Sequence, residues 1–182
     1  MLEILPLSYI GNPILREVAQ PLSAEDIRSD RIQLLIEQMR YTLEQKNYGV
    51  GIAAPQVGLS IALSVVGIKP TPNRPELEPF HSVLINPEIV EMQGEPTQKW
   101  EACISCGSSD SLLYAQVPRY ETIRLRWLDE SAVAREELLS GFVAHVTQHE
   151  TDHLNGVLFV DRVTDTSSYM MADEYRKRIV LG

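Results

Sequence analysis

His149, Glu150 and His153 stand in the order His149-Glu150-Thr151-Asp152-His153, the form H-E-x-x-H. On a helix, residues four apart lie one above the other, so two imidazoles can meet one metal ion from a single turn. The intervening glutamate then points near a water held by that ion and can take its proton. A polar helix surface carrying two incidental histidines is the alternative. It fits poorly, because both histidines adjoin an apolar face and Leu154 and Val157 follow. The spacing therefore points to a catalytic metal centre of the hydrolytic kind.

The motif does not name a third ligand. In one class of metalloproteases a histidine stands three residues past a glycine. Here Gly156 holds the glycine position, but Phe159 holds the histidine slot, which excludes that class. Glu174 could complete a site, yet it sits among charged residues of a helix expected to be exposed. His145 lies four residues before His149, but from 145 to 153 a helix rises about 12 Å. Three ligands of one ion cannot be spread that far, so His145 reads as a pocket-wall or surface residue. His81 has no evident partner. Cys103-Ile104-Ser105-Cys106 could supply one sulfur to an open site, with water in the fourth position. It could instead supply two sulfurs to a closed structural site. A structural site needs no base, so Glu150 favours one cysteine.

These residues need elements to carry them. Arg135 to Asn155 reads as a long helix, with Leu138, Leu139, Phe142, Val146, His149 and His153 on a broad face and Gly156 as its stop. A second helix is expected from Ser23 to Lys46. Ser23 and Asp26 approach a capping box, and Ile32, Leu35, Ile36, Met39 and Leu43 share a face. Tyr48-Gly49-Val50-Gly51 should end it. Strand-like runs occupy 61–68, 82–85 and 121–128, the last alternating Ile123, Leu125 and Trp127 with polar residues. The proline-rich stretch 69–75 reads as a surface loop, and a short helix is expected over about 168–178. The fold class is α+β: small, mostly antiparallel sheets packed around a central metal-binding helix.

Composition sets the outer bounds. The 182 residues suit one domain spanning 1–182, with 44% apolar and 23% charged residues. A net charge of −9 argues against a general nucleic-acid binder. The one basic cluster, Arg176-Lys177-Arg178, reads as a solvated helix face. No transmembrane span or signal peptide is evident. Two cysteines three apart make no disulfide framework, and a reducing, cytoplasmic setting is expected.

An opening segment and three ordered motifs make the chain resemble the peptide deformylases over most of its length. Gly11-Asn12-Pro13-Ile14-Leu15-Arg16 is similar to the opening G-D-P-x-L-R. Gly49-Val50-Gly51-Ile52-Ala53-Ala54-Pro55-Gln56 is similar to G-x-G-x-A-A-x-Q. Glu101-Ala102-Cys103-Ile104-Ser105 and Gln148-His149-Glu150-Thr151-Asp152-His153-Leu154 are similar to E-G-C-L-S and Q-H-E-x-D-H-L. The resemblance implies that Cys103, His149 and His153 bind the metal, typically Fe2+ and often replaced by Zn2+, Ni2+ or Co2+. It implies that Glu150 moves the proton, while Gln56 and the Ile104 N–H stabilise the oxyanion. The implied substrates are N-formyl-methionyl peptides or nascent chains, with formate released and, at most, transient ribosome contact. Val50, Gly51 and Ala102 should border the substrate backbone, and Phe142 and Val146 the methionine side chain. Glu101 and Arg119 should form an ion pair beside the site, with Asp152 orienting the helix.

The chain departs from the family pattern at three places. Ala102 replaces a glycine, so its methyl is expected to narrow or shift the peptide groove. The stretch from Cys106 to Ser111 is longer and more polar, which should reshape the mouth of the site. His145 stands where the family has an apolar residue or an arginine.

Overall fold

The computed structural model describes residues 2–46, 49–71 and 75–181. The helix stop at Tyr48 and the middle of the proline-rich loop, residues 72–74, lie outside the described residues. So do Met1 and Gly182, the ends of the expected domain.

Ser23 caps the first helix as its spacing with Asp26 suggests. Its hydroxyl accepts the Asp26 N–H at 3.1 Å, and its own N–H donates to Asp26 Oδ2 at 3.0 Å. The expected single helix is nevertheless two, α1 (Ala24–Arg28) and α2 (Asp30–Lys46). Ser29 between them is extended, and its hydroxyl bonds back to the Asp26 carbonyl. A serine side chain competing with the helix backbone in this way is a local helix breaker.

Five strands form one antiparallel sheet in the order β1 (Gly51–Ala53), β2 (Leu63–Ile68), β3 (Phe80–Gln93), β6 (Thr122–Leu128) and β7 (Ala134–Ser140). A second antiparallel sheet holds β4 (Thr97–Ala102), β5 (Leu113–Arg119) and β8 (Met170–Met171). Alternate residues of the larger sheet serve two cores. Leu63, Val65, Val83 and Ile85 pack with Ile32, Ile36, Met39 and Leu43 of α2. Val66, Ile68, Leu84, Ile123 and Leu125 pack with Ala144 and Val146 of α3 (Gly141–Leu154). The central helix is thus α3, and the fold is α+β as expected.

The start of α3 corrects the sequence reading. Residues 135–140, assigned to the helix, belong to edge strand β7, with Arg135 opposite Trp127 and Leu139 opposite Ile123. Arg, Glu and Leu favour helices, but hydrogen bonding to β6 overrides that weak preference. Only Leu139 in this strand is buried, and Leu138 is half exposed, so neither belongs to the helix face. Gly141 makes the corner at φ +61°, a left-handed conformation that a side chain would strain.

The C-terminal helix is also displaced. Ser168 ends a 3-10 turn, β8 follows, and the helical part comprises α5 (Ala172–Tyr175) and a wider winding over Arg176–Val180. Between α3 and this segment lies α4 (Phe159–Arg162). No described helix is long and apolar enough to cross a membrane.

Candidate active site

Every residue of α3 from Ala144 to Leu154 is buried. Polar residues make up most of that stretch, so each requires a partner. Gln148 clasps Tyr120, accepting its N–H at 3.0 Å and donating to its carbonyl at 2.9 Å. Thr151 donates to the Thr147 carbonyl one turn back. His149 and His153 instead turn their Nε2 atoms toward each other at 3.1 Å, and Cys103 Sγ lies 3.2 Å from His153 Nε2. These three ligand atoms lie within 4.8 Å of one another. Cys106 falls outside that group. It packs beside Cys103 in an apolar cluster with Ala115, Val117 and Phe159, so among the described residues only Cys103 of the two thiols joins the histidines.

The donor set fits a divalent ion. Ligands held about 2.0 Å from a tetrahedral ion are about 3.3 Å apart, close to the separation of the two nitrogens. At most one of two facing imidazole nitrogens can donate to the other, so the converging electron pairs suit a cation. Burial pushes the Cys103 thiol well up from its ordinary value, and Cys106 adds to this. An ion bound beside it would reverse that preference and hold the thiolate.

Glu101 fixes the orientation of this centre. Its Oε1 accepts from His149 Nδ1 and from Arg119 Nη2 at 2.8 Å. Its Oε2 accepts from His145 Nε2 at 2.7 Å and Arg119 Nε at 3.0 Å. A proton on His149 Nδ1 leaves Nε2 with its lone pair turned to the metal position. Burial alone would raise the Glu101 carboxyl, but His149, His145 and Arg119 together hold it well below the usual carboxylate range. Arg119 donates onward to Asp152 at 2.7 Å, and Asp152 also accepts from Arg162 at 2.6 Å. The expected ion pair of Glu101 and Arg119 is therefore part of a larger buried network. His145 belongs to it and also lines the cavity, edge-on to Phe142.

Glu101→Gln should lower metal affinity by about 10–100-fold, the usual cost of losing an outer hydrogen-bond partner of a ligand. Competition of the purified variant against a chelator measures this. Unchanged affinity, with the fold intact by circular dichroism, would show that Glu101 does not orient His149.

Glu150 is 2% exposed and faces a cavity of about 530 Å³. Burial raises its carboxyl to about 7, with Glu101 adding to the rise and His149 opposing it. Its Oε2 has no hydrogen-bond partner among the described residues. Gly51 makes room for it: a Cβ at 51 would lie 2.2 Å from Glu150 Oε1. Gln56 comes from the 3-10 turn after β1. Its Oε1 accepts the Ala53 N–H at 2.8 Å, which fixes the amide so that Nε2 points to Ser105 Oγ at 3.1 Å and Cys103 Sγ at 3.4 Å. Val50, Gly51, Ala102, Ile104, Phe142 and Val146 all line the cavity. Glu174 does not; it pairs with Lys177 at the surface. Phe159, in the histidine slot of the metalloprotease pattern, is buried with its ring 6.5 Å from that of His149.

The comparisons with known proteins agree with one another. Residues 4–168 match the family model described as polypeptide deformylase. Peptide deformylase 2 of Nostoc sp. is 38% identical over 180 residues, covering 97% of this chain and 96% of the relative. A peptide deformylase of Leptospira biflexa is 37% identical over 164 residues, covering 88% of each. The crystal structure of a class I type b peptide deformylase from Acinetobacter baumannii, bound to Met-Ala-Ser, matches with a TM-score of 0.82. That match has 36% identity and covers 90% of this chain and 100% of the other.

Proposed function

The chain belongs to the polypeptide deformylase family, and from that premise we propose how its own residues hydrolyse the N-formyl group of formyl-methionyl peptides, releasing formate. The observation that carries the reading is the convergence of Cys103, His149 and His153 beside Glu150, whose Oε2 has no hydrogen-bond partner among the described residues.

Cys103 Sγ, His149 Nε2 and His153 Nε2 would hold one divalent ion, Fe2+ in the native enzyme, with Zn2+, Ni2+ or Co2+ able to replace it. When bound, the ion supplies a polarising charge at the formyl oxygen and lowers the pKa of the attacking water. Glu150 takes the proton from that water and delivers it to the departing peptide nitrogen. A carboxyl raised to about 7 suits both halves of the task near neutral pH. Gln56 Nε2 and the Ile104 N–H donate to the oxygen that gains negative charge, and the bond to Ala53 keeps Gln56 aimed without reorganisation.

Substrate placement follows from the two sheet edges. Among the described residues β1 and β4 each pair on one side only, and residues of both line the cavity. An extended peptide can lie along Val50–Gly51 and Ala102 as an added strand. Phe142 and Val146 receive the methionine side chain. Free thiols at 103 and 106 suit the reducing cytoplasm, where nascent chains at the ribosome are the substrate and contact with the ribosome is transient. Residues 1–182 act as one catalytic domain.

The test is formate release from formyl-Met-Ala-Ser by protein purified anaerobically and loaded with Fe2+. Turnover that disappears on chelation and returns with the ion is expected. A loaded, folded protein that releases no formate would overturn the proposal.

A further inference from the structure

The match to the family model ends at Ser168, yet the chain beyond it builds part of the active-site cavity. β8 pairs with β5, placing Met170 opposite Tyr114 and Met171 opposite Leu113. The Ala172 N–H then donates to the Leu112 carbonyl at 2.9 Å, anchoring the start of α5. Tyr175 at the end of α5 stacks on Tyr114, with ring centroids 4.0 Å apart and planes at 6°. It also meets Trp100 in a T-shaped contact, with ring centroids 5.4 Å apart. Tyr175, Ile179 and Val180 line the same cavity as His149 and Glu150.

The segment separates charge from apolar surface. Asp173 pairs with Arg176 and Glu174 with Lys177, and none of these four lines the cavity. Ile179 and Val180 line it while remaining 41% and 39% exposed. A side chain covering them would remove apolar surface from water. Position along the groove is set by β4. Ala102 and Trp100 are two residues apart on one face of that strand, a span of roughly 7 Å. An extended peptide beside Ala102 covers that span with the two residues that follow its methionine.

We propose that Tyr175, Ile179 and Val180, with Trp100 and Tyr114, form an apolar subsite. It receives a large apolar side chain in one of the two residues after the formyl-methionine. The subsite rests on the deformylase reading, because it is defined by its continuity with that cavity.

Three peptides test it: formyl-Met-Ala-Ser, formyl-Met-Leu-Ser and formyl-Met-Ala-Leu. The wild-type enzyme should favour one leucine peptide over formyl-Met-Ala-Ser by about tenfold in kcat/KM, chiefly through KM. Ile179→Ser and Tyr175→Ala should each bring that ratio to within about twofold of unity. Leu138→Ser, on exposed β7, should keep the wild-type ratio. A wild-type enzyme without the preference, or one whose preference survives both substitutions, overturns the subsite and leaves the deformylase reading standing. No turnover of any peptide overturns that reading and the subsite with it.

Discussion

Glu150→Gln is expected to reduce formate release by about 10³-fold while leaving metal content unchanged. General acid–base catalysis contributes roughly 10²–10⁴-fold, and Glu150 carries both proton transfers in the proposed reaction. The amide is nearly isosteric, so it fits beside Gly51 where the carboxylate does, but it cannot accept a proton. The loss should fall on kcat rather than KM, because the interaction is made as the proton moves. The metal-free protein gives an independent readout. Burial raises the Glu150 carboxyl from 4.5 to about 7, so the folded state holds this proton more tightly than the unfolded chain does. The resulting stability is fully present below about pH 4.5 and is lost as pH rises through about 7. The loss is on the order of 3 kcal/mol. Urea unfolding between pH 4.5 and 8 should show this decline in the wild type and a flatter profile in Glu150→Gln. A variant with more than a tenth of wild-type activity would remove Glu150 from the proton path.

Local spacing made the heart of the site legible. His149 and His153 are four apart on a helix, and no distant residue is needed to see that their rings can meet. Gly51 was singled out by a motif, but its close approach to Glu150 joins residues 99 positions apart and only the fold reveals it. The Glu101 network was half visible, as an ion pair with Arg119. Its bonds to His145 and His149 span 44 and 48 residues. One signal was available: His145 and His149 share a helix face, so a carboxylate that meets one can meet the other. The fold divides in the same way. Ser23 and Asp26 announced a helix start because a capping box is local. Residues 135–140 misled because good helix formers there are held by pairing with β6. Strands β4 and β5 interleave polar and charged residues with apolar ones, the charges of Glu101 and Arg119 being buried, and gave no sustained apolar run. The aromatic contact of Trp100, Tyr114 and Tyr175 joins three distant segments and has no sequence signature.

Cys103→Ser should lose both metal and activity, whereas Cys106→Ser should keep both. The two thiols are three residues apart and both buried, so sequence distance and exposure do not separate them. Geometry does. Cys103 Sγ lies 3.2 Å from His153 Nε2, within the ligand group, while Cys106, which shares an apolar cluster with Cys103, stays outside that group. A serine hydroxyl at 103 is a harder, less acidic donor than a thiol and binds Zn2+ or Fe2+ less well. The loss of affinity should exceed the ~10–100-fold expected when only an outer partner is removed. Cys106→Ser exchanges a small buried thiol for a hydroxyl in an apolar cluster. Its expected cost is about 1–3 kcal/mol of stability, without change in metal stoichiometry. Metal content by atomic spectroscopy, measured beside thermal unfolding, separates the two effects. Loss of the ion from Cys106→Ser as complete as from Cys103→Ser would mean that both sulfurs bind it. The fourth position would then be closed to water, and Glu150 would have no proton to take.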